Sequence, residues 1–82
     1  MKAEHITLLK YTGECCRNFR KSKGYLQSEV AADLNVSEKL VSAFECGKQN
    51  NAVVLLWYFA HGMNPVDIFS YISMNERINN GK

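Results

Sequence analysis

Residues 26–47 read Leu-Gln-Ser-Glu-Val-Ala-Ala-Asp-Leu-Asn-Val-Ser-Glu-Lys-Leu-Val-Ser-Ala-Phe-Glu-Cys-Gly. Two short stretches of helical rhythm lie in this segment, split by a turn. In the first, Gln27 to Leu34, the apolar residues Val30, Ala31 and Leu34 fall three and four positions apart, which puts them on one helix face. Asn35 follows, a residue type that tolerates positive φ and so permits a tight reversal. Ser37, flanked by Val36, is a good N-cap for a second helix that extends to Cys46, with Leu40, Val41 and Phe44 directed inward and Gly47 ending it. Two short helices joined by so tight a turn form an angular pair. Ala31 belongs where the two approach most closely, since a larger side chain there would change the crossing angle. If Val41 and Phe44 anchor the second helix from below, then Glu38, Lys39, Ser42, Ala43 and Cys46 occupy its opposite, exposed face.

Working outward, helical spacing continues on both sides. Upstream, a helix is expected from about Ile6 to Ser22, with Leu9, Cys16 and Phe19 on one stripe and Lys23-Gly24 closing it. Gly13 inside it weakens the helix and calls for a reason such as close packing against a neighbour. Downstream, after the polar loop Lys48-Gln49-Asn50-Asn51, the run Ala52 to Ala60 is apolar nearly all round, and Gly62 closes it. Asn64-Pro65 reads as an N-cap and first helical residue, with Asp67 in the first turn and Ile68, Phe69 and Ile72 continuing the pattern. The polar tail from Asn75 to Lys82 is expected to fray. No stretch alternates as a half-buried strand does. The fold expected is all-α, a compact five-helix bundle over residues 1–74 followed by a polar tail over 75–82.

Composition narrows the function classes. The chain has 82 residues, of which 46% are apolar and one is proline, so it has room for one domain and the composition to fold as one. Met1-Lys2-Ala3-Glu4-His5 lacks the basic-then-apolar order of a secretion signal, and no apolar run approaches the ~18 residues a membrane span needs, so a cytoplasmic protein is expected. The cysteines are odd in number and without CxxC spacing: Cys15 and Cys16 are adjacent and Cys46 stands alone, so reduced thiols and no metal are expected. No cofactor signature and no enzyme signature is found: there is no glycine-rich phosphate loop, no paired acids, and His5 and His61 lie at opposite ends of the core pattern. The net charge is only +2, but Arg17, Arg20, Lys21 and Lys23 fall within seven residues, and Lys39 and Lys48 follow. Such a cluster becomes a phosphate-binding edge if the fold gathers it on one face.

The segment from Leu26 to Gly47 resembles the helix-turn-helix of the lambda-repressor and Cro-like family, often called the xenobiotic-response-element family. The match includes Gln27 opening one helix, Ala31 at the crossing, the turn Asn35-Val36-Ser37, Val41 in the recognition helix, and Phe44-Glu45-x-Gly47 closing it. Upstream, Gly13-x-x-Cys16-Arg17-x-Phe19-Arg20 looks like that family's first helix, and Leu55-Leu56 with Phe59-Ala60 falls where its fourth helix lies, so the resemblance covers about Gly13 to Ile72. What it implies is a lambda-repressor-like DNA-binding domain whose third helix, about 37–46, enters the major groove of double-stranded DNA, as in a transcriptional repressor. By resemblance, Gln27 would reach a phosphate or a base edge, Ser37 and Lys39 would act at the start of the recognition helix, and Lys48 and Asn50 would touch backbone phosphates, with Arg17 or Lys21 adding a flank. Glu38 can accept from a cytosine amino group, Ser42 offers a hydroxyl, and Ala43 can meet a thymine methyl. Arg20 and Glu45 would form a semi-buried ion pair tying the first helix to the end of the third. The chain departs from the family in carrying Glu38, Ala43 and Cys46 where Arg, Gln, Asn or Thr are commoner, so direct base readout is thin and a monomer should bind poorly above physiological salt.

A bundle this small cannot hide Trp57, Tyr58, Val54, Tyr71 and Met74 together, so Trp57, Tyr58, Tyr71 and Met74 are expected to form a surface patch for a homodimer, the other reading being that these aromatics simply finish the monomer core. Family members usually pair through that end, which would set half-sites about one turn (~34 Å) apart. The alternative is a helix-turn-helix scaffold used as a protein-interaction module, an antirepressor or accessory protein with its own protein partner and little DNA binding. Small size and the absence of a sensor domain favour, by resemblance, a phage or mobile-element regulator.

Overall fold

A computed structural model describes the backbone over residues 2–70 and the side chains over residues 8–70. The expectations for the His5 side chain and for Tyr71, Ile72, Met74 and the tail 75–82 lie outside that description.

Each helix boundary follows from local chemistry. Helix α1 (Lys2–Lys23) begins four residues before the expected Ile6, because Lys2, Ala3 and Glu4 are strong helix formers with no breaker among them. It ends at Gly24, whose φ of +80° lets the Tyr25 N–H turn back onto the Arg20 carbonyl at 3.0 Å. Helix α2 (Gln27–Leu34) starts after Leu26, whose side chain cannot cap; the Glu29 carboxylate reaches back instead and accepts from the Leu26 N–H at 2.8 Å. Asn35 closes α2 in the left-handed conformation, φ 57° and ψ 45°. Two residues later Ser37 accepts from the Leu40 N–H at 3.0 Å and opens α3 (Glu38–Glu45), which stops one residue short of the expected end because Cys46 is its C-cap. Asn51 accepts from the Val54 N–H at 3.0 Å and opens α4 (Ala52–Ala60). Residues 65–70 are again helical, with the Asn64 side chain accepting from the Val66 N–H at 3.0 Å. No strand occurs among the described residues, and none of their helices is long and apolar enough to cross a membrane.

The helices pack α2 on α3, α1 on α3, and α4 on both α1 and α2. Cys16 from α1, Val30 and Ala31 from α2, Val41 and Phe44 from α3, Val54, Trp57 and Tyr58 from α4, and Met63 and Ile68 beyond it form one core. The glycine inside α1 has its reason here. A Cβ on Gly13 would lie 2.5 Å from the Glu45 carbonyl oxygen and 2.6 Å from that of Phe44, so the α1 backbone rests directly on the last turn of α3. Gly47 completes the contact, with φ +77° and space for a Cβ denied by the Lys10 Cα at 2.7 Å.

Helix α4 corrects one expectation. Trp57 is 5% exposed and Tyr58 fully buried, so neither belongs to a surface patch. They share the inward stripe with Val54, and each polar tip finds a carboxylate acceptor from another helix, the buried Glu45 for Tyr58 and the exposed Asp33 for Trp57, which lets the large aromatic volume go inside. The side chains left outside α4 are aliphatic, Val53 at 56% and Leu56 at 59% exposure.

Candidate nucleic-acid interface

Helix α3 is sharply two-sided. Val41 and Phe44, 0% and 3% exposed, face the core, and the Phe44 ring stacks on Tyr58 with centroids 6.0 Å apart. Glu38, Lys39 and Cys46 face solvent, as does Ser37 at the start of the helix, where its oxygen is engaged in capping. Ser42 and Ala43 are half-buried rather than fully exposed, a correction to the expected face. Both are short side chains that stay close to the helix backbone, so a partner reaches them only by close approach. Lys48 and Asn50 are exposed in the loop after α3, and Arg17 and Lys21 are exposed on α1. The expected contacts, with Gln27 at the start of α2, therefore come from four separate elements: α1, α2, α3 with its N-cap, and the loop between α3 and α4.

Behind this surface lies a network centred on Glu45, itself only 3% exposed. Arg20 Nε donates to Glu45 Oε2 at 2.8 Å and Arg20 Nη2 donates to Oε1 at 3.1 Å, a two-pronged ion pair between α1 and the end of α3. Arg20 Nη1 also donates to the Tyr25 carbonyl at 2.9 Å. Gln27 Nε2 donates to Glu45 Oε1 at 3.0 Å, and the buried Tyr58 hydroxyl donates to Oε2. Burial alone would raise the Glu45 carboxyl, but the hydrogen bonds from Arg20, Tyr58 and Gln27 outweigh it and hold the group below the usual carboxylate range. The Arg20 guanidinium is pushed up by its hydrogen bond to Glu45, against a smaller opposing effect of burial. Tyr58 is pushed far above an ordinary phenol, first by burial and then by the carboxylate it binds. Among the described residues no buried side-chain polar atom lacks a partner.

A second polar cluster joins α2 to the end of α4. Trp57 Nε1 donates to Asp33 Oδ2 at 3.0 Å, and His61 Nε2 stands 4.0 Å from the same oxygen. The His61 ring stacks on Trp57 with centroids 3.7 Å apart, and Tyr25 meets both rings edge-on. A carbonyl oxygen can only accept, so the 2.8 Å contact between His61 Nδ1 and the Trp57 carbonyl places a proton on Nδ1.

The thiols are dispersed. Cys16 is buried and Cys15 half-buried, both pushed upward chiefly by desolvation, and for Cys15 also by the nearby Asp67 and Glu14 carboxylates. Neither has the electropositive surroundings that make a thiolate nucleophile. Among the described residues no three His, Cys, Asp or Glu side chains converge as a metal site requires.

No protein-family model, curated protein or solved structure matches this chain.

The site residues predicted from sequence thus separate into groups. Arg20, Gln27 and Glu45 are brought into contact; Ser37, Glu38 and Lys39 stand together at the head of α3; Arg17 and Lys21 lie apart on α1. Tyr58 belongs to the Glu45 network, a role that the sequence did not disclose, because every position of α4 is apolar and spacing singles out no inward face. Asp33, His61 and Tyr25 had no sign either, because their partners are brought near only by tertiary packing.

Proposed function

We propose that the chain is a DNA-binding transcriptional regulator of the helix-turn-helix kind, a cytoplasmic repressor that lays α3 in the major groove. The observation that carries this reading is the two-sidedness of α3: its buried Val41 and Phe44 hold it against the core while Glu38 and Lys39 stand free at its head. The resemblance over residues 13–72 to the lambda-repressor and Cro-like family supports the same assignment. In this reading Lys39, Lys48 and Asn50 take phosphate or base contacts, with Arg17 and Lys21 as a flank, and Gln27 meets the backbone at the start of α2. Glu38 and the half-buried Ser42 and Ala43 supply what base readout there is.

Few phosphate contacts per chain make a two-fold pair the natural binding unit, because pairing doubles them. With Trp57 and Tyr58 in the core, the exposed apolar side chains Val53 and Leu56 on α4, and Val66 and Phe69 beyond it, take their place as candidates for that contact. The same exposed side chains favour a second reading, in which the scaffold binds another protein and DNA little or not at all.

A gel shift against a genomic fragment library, repeated with Lys39→Ala and Gln27→Ala, separates the two. The regulator shifts a subset of fragments and loses affinity with both substitutions. An interaction module shifts none, or is indifferent to them.

A further inference from the structure

We infer that Tyr58, buried on α4, is a positioning residue for DNA contact: its hydroxyl fixes the Glu45 carboxylate, which in turn fixes the orientation of the Gln27 amide at the start of α2. This rests on the proposed function for its consequence in binding, but not for its geometry.

The Glu45 carboxylate receives two donors on each oxygen. Oε2 takes Arg20 Nε and the Tyr58 hydroxyl; Oε1 takes Arg20 Nη2 and Gln27 Nε2. Arg20, Glu45 and Tyr58 are all buried, whereas Gln27 is half-buried and so touches both this network and the surface. A primary amide has two N–H donors and one carbonyl acceptor. With one N–H given to Glu45 Oε1, the other N–H and the carbonyl oxygen remain for a partner outside, and their directions follow from that inner bond. The outer N–H is the group a phosphate oxygen would accept from. Removing the Tyr58 hydroxyl leaves Oε2 with a single donor, so the carboxylate is held by the Arg20 fork alone and can shift along with it, which loosens the hold of Oε1 on Gln27. Gln27 would then be a loose side chain that has to be ordered at the moment of binding. Ordering one such side chain corresponds to a loss of about three- to tenfold in affinity.

The experiment is a double-mutant cycle in duplex affinity using Tyr58→Phe, Gln27→Ala and the pair, well below the melting temperature of each. On the proposed account Tyr58→Phe weakens binding by about three- to tenfold in the parent and by less than twofold where Gln27 is already alanine. An equal loss in both backgrounds, the signature of general destabilisation, overturns it. A measurement on the unmodified chain needs neither a variant nor DNA. Nuclear relaxation of the Gln27 side-chain amide should give an order parameter near the rigid-backbone value of about 0.85, and a value under about 0.6 overturns the inference. If no variant binds any duplex while the amide is rigid, the DNA reading fails and the positioning geometry stands.

Discussion

Replacing Arg20 by alanine removes both of its hydrogen bonds to Glu45 and the one to the Tyr25 carbonyl, at a site where Glu45 is only 3% exposed. Breaking one side of a buried ion pair costs ~3–5 kcal/mol, because the partner charge is stranded away from water. The stranded carboxylate has one escape, which is to take a proton. That costs ~1.4 kcal/mol for each pH unit above the ordinary glutamate value of ~4.3, or ~3.7 kcal/mol at pH 7. The penalty must therefore depend on pH. In the parent chain Glu45 is held below the usual range, so its contribution is present above the ordinary glutamate value and is lost only as pH falls through the lowered one. In the variant the main compensation for burial is gone, the carboxyl moves upward, and the gap narrows as pH falls. Expected is a loss of ~3–5 kcal/mol at pH 7, shrinking to ~1–2 kcal/mol at pH 5, where mainly the lost hydrogen bonds remain. For a domain of this size the pH 7 loss corresponds to a fall in Tm of ~15–30 °C. Thermal melts followed by circular dichroism at the two pH values measure both quantities. A pH 7 melt indistinguishable from the parent, or a gap that widens toward acid, would refute the reasoning.

Other outcomes follow from the same geometry. Gly13→Ala gains ~1 kcal/mol in helix propensity but drives a Cβ to 2.5 Å from the Glu45 carbonyl, so chemical denaturation should show a net loss of ~1–3 kcal/mol; a more stable variant would contradict the close helix contact. Phe44→Ala should cost ~3–5 kcal/mol by the same assay, since its ring is buried against Tyr58. Leu56→Ser, at an exposed site, should leave stability within ~0.5 kcal/mol while shifting sedimentation toward monomer; an unchanged oligomer would remove α4 from the proposed contact. Lys39→Ala should reduce the slope of log affinity against log salt by ~1, and an unaltered slope would take Lys39 out of phosphate contact.

Helices α2 and α3 were legible because their punctuation is local: Asn35 accepts φ 57° and the Ser37 oxygen caps within its own turn. The glycine at position 13 was legible as a question whose answer, the end of α3, comes from a segment more than thirty residues away. Helix α4 defeated sequence reasoning for a physical reason. A run that is apolar nearly all round has no periodic signal to select a buried face, and the choice was made by two distant acceptors, Glu45 for Tyr58 and Asp33 for Trp57. The same distance hid the Asp33–Trp57–His61 cluster. On the candidate interface, charge and helix phase placed Glu38 and Lys39 outside, whereas the half-burial of Ser42 and Ala43 depends on side-chain length and neighbours, which phase alone does not weigh.

The outward face of α3 as the part that meets a duplex is tested most directly by selecting bound DNA from a random pool with the parent chain and with Lys39→Glu, after melts have shown the two to be equally stable. The account predicts an enriched, reproducible sequence with the parent and none with the variant. Enrichment that survives the charge reversal, or none with either chain, would contradict it.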